Sequence, residues 1–91
     1  MQDDPDAPVF CVYILRSLRT QRYYVGSTQD LERRLREHNS ARSRSTRTGV
    51  PWELVHKIRF PTRSEATRCE RRIKARGIAR YLAESADLPS S

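Results

Sequence analysis

The sequence predicts an α+β domain: a three-stranded antiparallel sheet flanked by about three helices. Three observations predict it. Two β-branched and aromatic runs, Val9 to Leu15 and Tyr23 to Gly26, flank a polar stretch, Arg16 to Arg22, that closes a hairpin. A third run, Trp52 to Phe60, alternates apolar and polar residues. Two further segments place apolar residues at helical spacing behind hydroxyl-bearing start signals. The chain has 91 residues, 36% of them apolar, which suits one domain with a core of no more than about two layers.

The elements follow in order. Residues 1–8 are acidic and proline-containing and read as a disordered leader. Val9 to Leu15 is apolar on both of its faces, so this strand is expected to be buried on both. Gly26 ends the second strand, where it serves either a close backbone approach or a special dihedral. The first helix is expected over Gln29 to Asn39, with Ser27 or Thr28 as N-cap and Ser27-x-x-Asp30 resembling a capping box. Residues 40–51 form a basic loop without apolar period. In the third strand Trp52, Leu54, His56, Ile58 and Phe60 are expected on one face, and Glu53, Val55, Lys57 and Arg59 on a solvated one. Thr62-x-x-Glu65 opens a second helix that runs to about Arg76 and stops at Gly77. Ile78 to about Ala86 is a short third helix, so the domain spans 9–86, and 87–91 read as a frayed tail.

Charge points to the partner. The formal net charge is +7, and from Val9 onward 18 cationic side chains face 8 acidic ones. A small body that basic suits a polyanion, most commonly nucleic acid. Sixteen of the 18 cations are Arg, whose planar fork matches phosphate oxygens. Cys11 and Cys69 are too few for a disulfide framework and have no zinc-ligand spacing with the histidines. The acidic N-terminus lacks a signal-peptide pattern, and no apolar run is long enough to span a bilayer. These features lead us to expect a soluble cytoplasmic protein with no membrane partner.

Helical spacing then isolates the chemistry. On the first helix Leu31, Leu35 and His38 share one narrow arc, with Arg34 beside them. Arg34 and His38 are therefore turned toward the sheet, whereas Arg33, Arg36 and Glu37 turn more to solvent. A guanidinium beside a sheet requires partners. It either snorkels from the edge or waits for phosphate. On the second helix Glu70 falls inside the apolar stripe of Ala66, Cys69 and Ile73. A carboxylate there is costly unless it pairs, for example with Arg34, or holds a metal. Tyr13 and Tyr24, on the two hairpin strands, are expected close in space with hydroxyls on a common cavity. Two Tyr, one Arg and one Glu fit metal-dependent phosphodiester hydrolysis. In it Glu70 holds a hard divalent cation, Arg34 neutralises transition-state charge, and a Tyr hydroxyl orients or deprotonates water. Glu65 is explained by its capping position, and His56 reads as a core or edge residue. Arg42, Arg44, Arg47 and Lys74 are the expected phosphate-backbone contacts; the 40–51 loop either clamps phosphates and orders on binding or is a merely solvated flexible loop.

Val12-Tyr13-Ile14-Leu15, Tyr24-Val25-Gly26-Ser27-Thr28, Leu31 to Asn39 and Glu70-Arg71-Arg72-Ile73-Lys74 together resemble the GIY-YIG nuclease domain over roughly residues 9–80. The likeness is greatest to small stand-alone bacterial members and to the nuclease half of Slx1-type structure-selective endonucleases. The resemblance implies a DNA endonuclease using one divalent metal, Mg2+ or Mn2+, of a DNA repair or recombination type. It places the motif tyrosines at Tyr13 and Tyr24, the helix Arg and His at Arg34 and His38, and the metal-ligand Glu at Glu70. Cys11 and Val12 stand where the family name has Gly-Ile, and Val25 stands where it has Ile. These are backbone or packing positions, so no chemical group is lost. A non-catalytic nucleic-acid-binding module on the same scaffold is the alternative. The chain contains no separate DNA-targeting module, which leaves room for a protein partner that supplies specificity.

Overall fold

The computed structural model describes residues 9–86; the expected leader at 1–8 and tail at 87–91 lie outside the described residues. The elements are β1 (Phe10–Ser17), β2 (Tyr23–Thr28), α1 (Leu31–Asn39), a 3-10 turn at Arg47–Gly49, β3 (Trp52–Phe60), α2 (Arg63–Arg76) and α3 (Ile78–Ala86). The sheet is antiparallel with order β2-β1-β3.

β1 is central, and its alternation divides the interior in two. Val12 and Ile14 pack with Val25, Ala66 and Ile73 under α2, where Phe60, Ile78, Tyr81 and Leu82 close the layer. Tyr13 and Leu15 point the other way and pack with Trp52, Tyr24, Leu31, Leu35 and Val50 under α1. The sheet is thus covered on both faces, giving three layers where composition suggested about two. The two half-cores are small, and a single central strand whose residues 11–15 are all buried supplies both.

β3 corrects the expected alternation. Ile14 pairs with His56 but Leu15 pairs with Leu54, so the register shifts by one residue at Val55. Such a bulge turns the strand over. His56 and Phe60 stay on the α2 side, while Trp52 and Leu54 cross to the α1 side. The bulge therefore delivers Trp52, 8% exposed, to the layer that holds Tyr13.

Helix starts and stops are local chemistry. β2 runs on to Thr28, where Thr28 pairs with Cys11 and Ser27 with Val12, so neither caps α1. Asp30 does so, its carboxylate accepting from the Arg33 amide at 3.1 Å. α2 starts as the sequence indicated, with Thr62 Oγ1 accepting from the Glu65 amide at 3.2 Å. It stops at Gly77, whose φ of 94° suits a residue without Cβ.

Candidate active site

β1, β2 and α1 bring four groups of chemical interest together. Tyr13 lies across Gly26, its pairing partner on β2. A Cβ built on Gly26 would stand 2.7 Å from the Tyr13 hydroxyl and 2.9 Å from its ring, so the glycine is required by close approach. Its φ is not positive, which decides between the two roles the sequence left open. Tyr24, two residues before Gly26, places its ring centroid 6.3 Å from that of Tyr13 and 5.0 Å from that of His38.

α1 then supplies His38 and Arg34. His38 is fully buried, with Nε2 2.9 Å from the Tyr13 hydroxyl and Nδ1 2.7 Å from Thr46 Oγ1. Burial lowers its pKa, and the Arg34 charge lowers it further against a smaller opposing pull from Glu37. The ring is neutral near pH 7. Arg34 is about one-third exposed and sits 3.7 Å from Glu37, its i+3 neighbour. Burial works against the Arg34 charge, but the Tyr13 and Tyr24 hydroxyls together outweigh it and hold the guanidinium cationic. Tyr13 is pushed up to about 12, first by burial and then by Tyr24, with Arg34 pulling back and Glu70 adding to the rise.

Glu70 arrives from α2, the helix of the opposite layer, and its carboxylate is close enough to oppose ionisation of Tyr13. Its direct partner is Lys74, at 2.8 Å across one helical turn, and not Arg34. Lys74, expected on phosphate, is thereby the counter-ion of the expected metal ligand. No group of three His, Cys, Asp or Glu residues stands together among the described residues. A single carboxylate fits a hard cation that takes its remaining oxygens from water and substrate phosphate, as Mg2+ does.

The 40–51 segment is fastened to the fold by side-chain hydrogen bonds. Thr46 and Gly49 are buried. The Trp52 indole donates to the Thr46 carbonyl at 2.7 Å, and buried Ser17 donates to the Gly49 carbonyl at 2.6 Å. Asn39, the last residue of α1, grips the Trp52 backbone twice, accepting from its amide at 2.6 Å and donating to its carbonyl at 3.0 Å. Arg42, Arg44 and Arg47 all remain exposed on this pinned segment. A groove of about 490 Å³ opens between it and the hairpin turn, lined by Thr20, Arg22, Tyr24, Ser45 and Thr48 among others. Sequence reasoning did not single out Thr46, Ser17 or Asn39. Their residue types are common in loops and helix ends, and only their burial or their partners mark them.

A sequence profile of the GIY-YIG catalytic domain matches residues 9–81. The chain belongs to the GIY-YIG family. It is 41% identical over 76 residues to a UPF0213 protein of Nitratidesulfovibrio vulgaris, a match covering 82% of this chain and 68% of that one. It is 38% identical over 79 residues to the structure-specific endonuclease subunit slx1 of Schizosaccharomyces pombe, covering 79% of this chain but 29% of that protein. The solution NMR structure of the UPF0213 protein BH0048 from Bacillus halodurans superposes with a TM-score of 0.54 at 30% identity, over 86% of this chain and 83% of that one. This GIY-YIG domain thus shares the size of the small bacterial relatives and spans under a third of the fungal one. Within the family pattern, Val12 is fully buried and Cys11 nearly so, so the substituted positions of the first motif are packing positions. Among the described residues no helix is long and apolar enough to cross a membrane.

Proposed function

We propose that this protein is a divalent-metal-dependent DNA endonuclease, selective for branched or interrupted DNA, with Tyr13, Tyr24, Arg34, His38 and Glu70 as its site. The observation that carries the reading is the convergence of the buried Tyr13 hydroxyl and His38 with the partly exposed Arg34 guanidinium, within the field of the Glu70 carboxylate. Arg34 faces the charge that builds on the non-bridging oxygens as the phosphodiester is attacked. Tyr13 takes a proton from the attacking water. With its hydroxyl near 12, it is a weak acid in the free protein, so incoming positive charge is needed to make phenolate accessible. Mg2+ or Mn2+, when held by Glu70, supplies that charge and polarises the phosphate. Tyr24 flanks the cluster and leads into the polar groove, where the strand beside the scissile bond would run past Arg22, Ser45 and Thr48. Arg42, Arg44 and Arg47 hold neighbouring phosphates without reading bases.

Selectivity for DNA structure rests on the names of relatives such as that of S. pombe, a subunit of a structure-specific endonuclease. That name also favours a protein partner that presents the substrate, and a cytoplasmic location fits the small basic body. The test is cleavage of branched, nicked, duplex and single-stranded DNA with Mg2+ or Mn2+, then with chelator, using wild type and Glu70→Ala. Cleavage that stops with chelator and with Glu70→Ala, while DNA affinity stays equal or rises slightly, is expected. Binding without cleavage of any form would leave the domain a non-catalytic DNA-binding module.

A further inference from the structure

We infer that Thr46 donates its hydroxyl proton to Nδ1 of His38 and so fixes His38 as the Nε2–H tautomer, a permanent hydrogen-bond donor to the Tyr13 oxygen. This rests on the reading above for its catalytic meaning, but not for its structural content. Thr46, His38 and Tyr13 form a chain of two hydrogen bonds, 2.7 and 2.9 Å long. With the imidazole neutral, the chain carries three protons for two bonds, one each from Thr46, His38 and Tyr13. The surplus proton must point outward from one end. The Thr46 end is closed. That residue is fully buried, and among the described residues its Oγ1 has one hydrogen-bond partner, the His38 ring. A hydroxyl proton without an acceptor there would carry the full cost of desolvation. The hydroxyl of Tyr13, a residue 1% exposed, lies instead beside the Tyr24 ring and within the field of the Glu70 carboxylate, where a proton on the phenol oxygen is favoured and a substrate oxygen can accept it. The surplus proton therefore belongs to Tyr13, and both bonds run from Thr46 through His38 toward it.

The direction has a chemical consequence. An imidazole that already donates through Nε2 does not take the phenol proton. When that proton leaves to solvent, the phenolate oxygen receives N–H groups from His38 and Arg34 together. The phenolate then takes one proton from the attacking water and returns to phenol, and His38 keeps its single proton throughout. Thr46 is thus a positioning residue. It belongs to the same segment as Arg42, Arg44 and Arg47, and the Trp52 indole and Ser17 hold that segment in place. A displacement of the basic segment is transmitted to the ring that supports Tyr13.

Nitrogen NMR of the histidine-labelled protein tests the assignment without DNA or metal, so its outcome is separable from that of the cleavage assay. The chain has two histidines, and a His56→Gln variant assigns the resonances. At pH 7.5, long-range correlation spectra are expected to show His38 protonated at Nε2 and bare at Nδ1. Thr46→Val should move the Nδ1 resonance toward that of a bare, unbonded nitrogen, and Thr46→Ser should restore it. A His38 protonated at Nδ1, or a Nδ1 resonance indifferent to Thr46→Val, overturns the inference. In cleavage, His38→Gln keeps an amide donor but no basic nitrogen. It should stay within about ten-fold of wild type in kcat, while His38→Ala loses on the order of 10²-fold. Equal losses in the two variants would instead make His38 the acceptor of the Tyr13 proton.

Discussion

The two faces of the sheet are built from the same strand and do opposite things. On one face Val12, Ile14, Val25, Ala66 and Ile73 make an apolar layer in which every contact is interchangeable with another of like size. On the other, Tyr13, His38 and Thr46 are equally buried, yet each carries a polar atom that must be matched. Neighbouring residues of β1 thus enter layers with different rules. The apolar layer tolerates repacking but depends on volume. The α1 layer is specified by hydrogen bonds and stands on Gly26, Trp52 and the pinned 43–50 segment. The difference teaches which face suits a site: the candidate residues lie on the face whose polar atoms already hold one another in place. Glu70 reaches it from the opposite layer's helix, so the site spans both.

The contrast is broken most sharply by Tyr13→Phe. This variant keeps the ring and its packing over Gly26 and removes one oxygen. Single-turnover cleavage should fall by on the order of 10²–10⁴-fold, the range of a lost general base. The variant should still fold, with a stability loss of about 1–3 kcal/mol because the buried His38 ring loses its Tyr13 partner. Wild-type rates in Tyr13→Phe would remove Tyr13 from the chemistry.

The mirror experiment is Ile73→Ala in the apolar layer. Ile73 is fully buried, so truncation should cost about 2–5 kcal/mol in denaturant-measured stability. The kcat of the folded fraction should be unchanged. A loss of kcat larger than the unfolded fraction explains would mean that the layers are mechanically coupled.

Next in size is Arg42, Arg44 and Arg47 replaced together by Gln. DNA affinity should fall about equally for unrelated sequences. The salt dependence should flatten by up to about 0.9 log units per log unit of salt for each lost phosphate contact. Sequence preference lost with these arginines, or an unchanged slope, would contradict a backbone-only role for the segment.

The smallest effect is a pH signature. His38 has its pKa lowered from 6.5 in the folded protein, and so does His56, both through burial. The unfolded chain therefore binds more protons below about pH 6.5, and folding stability should decline as the solution is acidified from there. Above that pH both states are neutral at these rings and the contribution is flat. Comparing urea midpoints at pH 7.5 and 5.5 checks this, and His56→Gln should leave the part due to His38.

Much was legible in the sequence because it is written in local pattern. Strand β1, doubly apolar, had to be central. Thr62 and Gly77 mark the ends of α2 through backbone bonds to residues three or four away. The arc of Leu31, Leu35 and His38 on α1 placed the imidazole inward, where it is buried. Arg34 and Glu70 stood out because ionised groups on inward stripes need partners. The cap of α1 was misplaced because β2 pairing claimed Ser27 and Thr28, and pairing is a contact with residues some sixteen positions away in the chain.

What tertiary structure alone decided shares one physical origin: a choice between two local states that only a distant neighbour can break. Val55 can continue the pleat or absorb a bulge, and the partner β1 selects the bulge, which carries Trp52 and Leu54 to the other face. Thr46 is one hydroxyl among many in a basic, polar segment, and packing against His38 alone distinguishes it. Residue types and their spacing determined which groups are present and which way most of them face. The direction of each hydrogen bond among them depends on where the surplus proton can find an acceptor, and that is a property of the folded interior.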